Sequence, residues 1–82
     1  MKIPRDLSGK ELITLLQKMG YVITRQTGSH IRLTRIHSGK EQHLTIPNHN
    51  ELKIGTLANI LQSIAENQGI EKTELIERLW GS

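Results

Sequence analysis

The chain has no cysteine and no phenylalanine, and only one tyrosine and one tryptophan among 82 residues. Without cysteine there is neither a disulfide framework nor a thiolate metal site, and the composition fits a reducing compartment. With so few aromatics, leucine and isoleucine must supply most of the core. The length suits one small domain, near the lower range for a chain that folds alone. No stretch approaches the roughly 20 apolar residues of a membrane span. The opening "MKIPRDLSGK" carries no apolar run of signal-peptide length, so a soluble cytoplasmic protein is expected. Linkers, repeats and low-complexity segments are also lacking, which leaves a single domain over residues 1–82.

The formal net charge is +3 and is unevenly placed. Residues 1–55 hold nine Lys/Arg against four acids, whereas residues 56–82 hold two against four. A basic first two-thirds points to an anionic partner, nucleic acid being the commonest. An ordinary solvated surface explains the same charge, because nucleic-acid binding asks for clustering as well.

Hydrophobic spacing gives the order of elements. In "LSGKELITLLQKMG", Ser8 and Glu11 form a capping box, and Leu7 and Leu12 occupy the staple positions across it. Leu12, Ile13, Leu15, Leu16 and Met19 make an apolar helical stripe, which Gly20 ends. "YVITRQ", "HIRLTRI" and "EQHLTIP" then read as strands separated by turns at Gly28 and Gly39, with Pro47 closing the third. In the second strand Ile31 and Leu33 point one way and His30, Arg32 and Thr34 the other. In the third, Leu44 and Ile46 oppose His43 and Thr45. This alternation is that of an antiparallel sheet covered on one face. "GTLANILQSIAENQG" is a second helix starting near Thr56 and stopping at Gly69, and "IEKTELIERLW" a third helical segment. The expected fold is α+β: a two-layer α-β-β-β-α core over residues 8–66 with a three-stranded antiparallel sheet, plus a further helix over 70–80.

The chemistry-bearing residues are few. His30, His37, His43 and His49 lack the i, i+4 pairing of helical zinc sites, so no metal site is expected. No P-loop, nucleophile elbow or cysteine nucleophile is present. Ser29 beside His30 is no serine triad, because neighbours on a strand face opposite ways. What remains is "RQTGSHIRLTR", three arginines and a histidine in eleven residues. Arginine holds phosphate by bidentate contacts. An imidazole moves protons near neutral pH. RNA supplies its own nucleophile, the 2′-hydroxyl, so a positioned base and a cation for the developing charge suffice for cleavage.

The ordered pieces "GKELITLLQKMGY", "RQTGSH", "LTIPNH" and "ELKIGTLANIL" resemble the HicA toxins, mRNA interferases of toxin–antitoxin pairs. The resemblance covers about residues 8 to 64. It implies a fold similar to the double-stranded RNA-binding domain, and metal-independent mRNA cleavage through the histidine of Gly-Ser-His, here His30. It also implies a HicB-like antitoxin partner that covers the active site, and no cofactor. The RNA-binding candidates are Arg25, Ser29, Arg32, His43 and Lys53, with His43 a candidate acid or phosphate contact. Many relatives carry a second histidine where this chain has Ile31, which leaves His30 alone on its strand. The tail from residue 62 onward is longer than usual and has three readings: core packing, a homodimer contact, or partner binding. Two alternatives to the nuclease stay open, a non-catalytic RNA-binding module using the same basic face and a protein-interaction domain for an acidic partner.

Overall fold

In the computed structural model, which describes residues 3–81, both ends of the first helix are written in capping chemistry. The first helix, α1 (Gly9–Lys18), starts at Ser8, whose hydroxyl accepts from the Glu11 N–H while the Glu11 carboxylate accepts from the Ser8 N–H. Two of the amides orphaned at the helix start are satisfied by this exchange. Its far end closes through the Gly20 N–H on the Gln17 carbonyl and the Tyr21 N–H on the Leu16 carbonyl, with Gly20 at φ +99°. That is the Schellman pattern, whose C′ position favours glycine because a Cβ there is strained.

Three strands follow, β1 (Val22–Thr27), β2 (His30–His37) and β3 (Lys40–Pro47), in an antiparallel sheet of order β1-β2-β3. Both connections are two-residue turns. Gly28 at φ +56° opens the first, and Ser38 and Gly39 at φ +53° and +77° form the second. Positive φ at one or both central residues matches the turn to the right-handed twist of its strands. One sheet face buries Ile31, Leu33, Leu44 and Ile46, and α1 lies against β3 with Leu12, Ile13 and Leu16 buried. Beyond β3 come α2 (Ile54–Gln68) and α3 (Lys72–Trp80). The fold is thus the α+β arrangement expected, with a three-stranded antiparallel sheet and two C-terminal helices.

The chain forms two compact units. The first, Leu7–Leu52, holds α1 and the sheet and is tied at its ends by the Leu52 N–H on the Leu7 carbonyl. In the second, α2 packs against α3, and Leu57, Ile60, Leu61, Ile64, Leu75 and Ile76 are buried. α2 begins two residues before the expected Thr56, because Lys53 serves as N-cap through its backbone without a side-chain hydrogen bond. It ends at Gly69, in the left-handed conformation with φ +68°. No helix among the described residues is long and apolar enough to cross a membrane.

Candidate nucleic-acid interface

The face of the sheet opposite the buried leucines and isoleucines is built in cross-strand rows. Thr27, His30 and Pro47 form the first, Arg25, Arg32 and Thr45 the second, and Val22, Thr34 and His43 the third. Regular alternation along β1 does not give this result. Ile23 pairs with Leu33 on the covered side, so an unbroken strand would send Arg25 to the same side. A bulge at Thr24 intervenes: Ile23 opposes Leu33, yet Arg25 opposes Arg32. The extra residue turns Arg25 onto the open face, the use to which bulges near functional sites are commonly put.

His30 stands at the first position of β2, directly after the turn. It is exposed, and among the described residues its ring has no hydrogen-bond or ion-pair partner. The backbone beneath it is well fixed. The Asn48 N–H donates to the Ser29 carbonyl at 2.6 Å, and the Gly9 N–H donates to the His49 carbonyl at 2.9 Å. The Gly-Ser-His turn, the Pro-Asn-His strand end and the start of α1 therefore converge. Gly9 is needed there, since a Cβ would run into the Pro47 carbonyl. Ser29 contributes this carbonyl to the architecture, while its side chain is exposed beside His30.

His43 has a different environment. Its Nδ1 lies 2.9 Å from the Thr34 hydroxyl, and its Nε2 lies 3.5 Å from the Glu41 carboxylate. Thr34 is in turn 2.9 Å from the Thr24 hydroxyl. His43 pairs with Thr34, four residues along β2 from His30, a backbone separation of about 13 Å. Glu41 is further away again along β3, so the ring is drawn away from His30 rather than towards it. Two imidazoles flanking one phosphate is not what this geometry offers.

The third arginine of the sequence cluster belongs elsewhere. Arg35 shares the covered side with Leu33, its Nε donating to the Met19 carbonyl at 3.0 Å and its guanidinium lying 6.0 Å from the Tyr21 ring centroid. A cation on the last carbonyls of a helix is stabilising, so Arg35 seals the end of α1. Tyr21, almost fully buried, bonds through its hydroxyl to Gln42 on the same side. Ile31, the neighbour of His30 in the chain, is a core residue. Lys53 is exposed and lies in the α2–α3 unit, outside the sheet unit that carries the other candidates. Alternation places Thr34 on the open face without giving it a role, and Thr24 and Glu41 carry no signal in the sequence, since threonine in strands is ordinary β composition and an exposed glutamate is ordinary surface. Among the described residues no group of three or more His, Asp or Glu gathers as a metal site.

A small sheet unit with two opposed arginines, an unengaged imidazole and a row of hydroxyls on its open face has the chemistry of an anion-binding surface. The family model for the HicA toxin of bacterial toxin–antitoxin systems matches residues 9–65. The chain therefore belongs to the HicA toxin family, and it is the toxin of a toxin–antitoxin pair, with an antitoxin as its partner. Neither the curated proteins nor the solved structures give a significant match.

Proposed function

We propose that this toxin is an endoribonuclease that cleaves mRNA on the open sheet face, with His30 as general base. One observation carries the reading: the His30 ring has no partner among the described residues and stands one row from the opposed Arg25 and Arg32. Same-face neighbours on a strand are about 6.7 Å apart, so a phosphate held by the arginines lies within side-chain reach of the imidazole. Imidazole nitrogen takes the 2′-hydroxyl proton, and the 2′-oxygen attacks the adjacent phosphorus. The P–O5′ bond breaks, leaving a 2′,3′-cyclic phosphate and a 5′-hydroxyl whose proton comes from water. The guanidiniums stabilise the charge that builds on the phosphoryl oxygens. The nucleophile belongs to the RNA, so the chemistry asks for no metal and no covalent intermediate.

Ser29 and Thr45 are further polar contacts to the RNA backbone in this reading. The antitoxin, HicB-like by family, inhibits by covering the His30 face. The test is cleavage of an mRNA transcript in EDTA by purified wild type and His30→Ala. Wild type should cut and leave 5′-hydroxyl ends, while His30→Ala should bind without cutting and no longer arrest growth. Full cleavage by the variant would remove His30 from the chemistry. Binding without cleavage by wild type would instead make this face a non-catalytic RNA-binding module.

A further inference from the structure

Thr24, Thr34 and His43 are joined in a line of hydrogen bonds across all three strands, and its first member is the residue that makes the bulge. We infer that this line is a clamp on the bulge, and that His43 is a positioning residue which holds Arg25 in the phosphate-binding orientation; the inference rests on the proposed reading of Arg25 and Arg32.

An inserted residue leaves part of a strand ladder unpaired and the chain locally able to slip. A one-residue slip here returns Arg25 to the covered side. β1 is an edge strand with every residue exposed, so packing does little to hold its register. The Thr24 hydroxyl supplies what packing does not, reaching the Thr34 hydroxyl at 2.9 Å and the Arg32 carbonyl at 3.4 Å. Thr34 is itself buried, on the central strand, and has one hydroxyl hydrogen to give. His43 meets it from β3 through Nδ1, and Glu41 meets the other ring nitrogen.

Two donor orders satisfy the line. In one, Nδ1–H donates to Thr34, Thr34 to Thr24, and Thr24 to the Arg32 carbonyl. In the other, Thr24 donates to Thr34, Thr34 donates to a bare Nδ1, and Nε2–H faces Glu41. Thr24 stays tied to the central strand in both. The second order leaves the Arg32 carbonyl without the Thr24 hydrogen, so His43 also decides how tightly the bulge closes on Arg32.

The experiment uses the full chain carrying His30→Ala, so that RNA is bound and not cut, with Thr34→Val, His43→Ala, His43→Asn or Arg25→Thr added. Thr34→Val keeps the shape and loses only the hydroxyl. His43→Asn keeps a polar group where Nδ1 was. Thr34→Val should weaken RNA binding about tenfold and lower the salt slope by about one phosphate contact, as if Arg25 had been removed, and His43→Ala, which leaves the Thr24–Thr34 bond, should weaken it by a smaller factor. His43→Asn should restore most of the affinity. In the Arg25→Thr background, Thr34→Val should have no further effect.

With His30 intact, Thr34→Val should raise KM and leave kcat at saturating RNA nearly unchanged. Parent-like binding by Thr34→Val, or losses that add to those of Arg25→Thr, would overturn the clamp. So would a kcat loss at constant KM, which would tie the line to the chemical step and not to the placing of Arg25. A free-protein measurement separates the clamp from the RNA reading. Backbone amide and Cα chemical shifts of residues 23–26 should move in Thr34→Val and stay in place in His43→Asn. If those shifts behave so while Arg25→Thr binds RNA normally, the clamp stands and the phosphate reading of Arg25 falls. Unmoved shifts in Thr34→Val sink the clamp whatever the RNA does.

Discussion

Arg25 of β1 stands directly opposite Arg32 of β2, on the open face of the sheet. Like charges in such a cross-strand pair repel, and nothing in the sheet's own stability asks for them. The arrangement is understandable as a site that is completed by an anion. It makes a prediction with two opposite signs. Arg25→Thr should raise the stability of the free protein by about 0.5 kcal/mol, through relieved repulsion and a good strand residue. The same change should weaken RNA binding and lower the salt slope by about one. Urea unfolding and salt-dependent binding measure the two. A stability loss together with unchanged binding would show that the pair is structural.

Gly9 is packed against the backbone at Pro47 and Asn48, where a side chain does not fit. Gly9→Ala should cost about 1–3 kcal/mol, the range for overpacking a site that cannot yield, since the obstructing atom is a carbonyl and not a flexible side chain. Pro47 pairs with His30, so cleavage should fall even where the variant remains folded. A urea midpoint equal to wild type would refute the close approach.

The two hairpin turns should respond in opposite directions. Ser38 holds φ +53° where asparagine is better suited, and Asn-Gly is the preferred pair for a two-residue turn of this kind. Ser38→Asn should add about 0.5 kcal/mol and leave cleavage unchanged, because the turn is at the end of β2 away from His30. Gly28 holds φ +56°, so Gly28→Ala should lose about 1–2 kcal/mol and, by twisting the turn that presents His30, reduce cleavage as well. Thermal unfolding of the pair, read beside RNA cleavage, checks both.

Ser8→Ala removes half of the capping box at the start of α1 and should cost about 1 kcal/mol. Ser8→Asp keeps an acceptor at the same place and should recover most of it, as a denaturation series would show.

Much of this protein was legible in its residues. Ser8 and Glu11 mark one end of α1 and Gly20 the other, because capping is local chemistry between residues three to five apart. The alternation in "HIRLTRI" and "EQHLTIP" assigns His30, Arg32 and His43 to one face and Ile31, Leu33, Leu44 and Ile46 to the other, since successive strand residues must diverge. The start of α2 was less legible: the pattern places it near Thr56, but the helix begins at Ile54 with Lys53 as its N-cap.

By itself the sequence determined the elements, their order, the turns and the identity of the polar face, all of which follow from forces acting within a few residues. Only the tertiary structure decided which face takes Arg25 and what Arg35 holds. Arg35 is drawn to the end of α1, and Arg25 is turned out beside Arg32 by the bulge at Thr24. The reason is that a strand's register belongs to the pairing of two chains segments and not to either one. An extra residue in β1 has no signature in β1 alone; it is fixed by Leu33, Arg32 and Thr34 across the ladder.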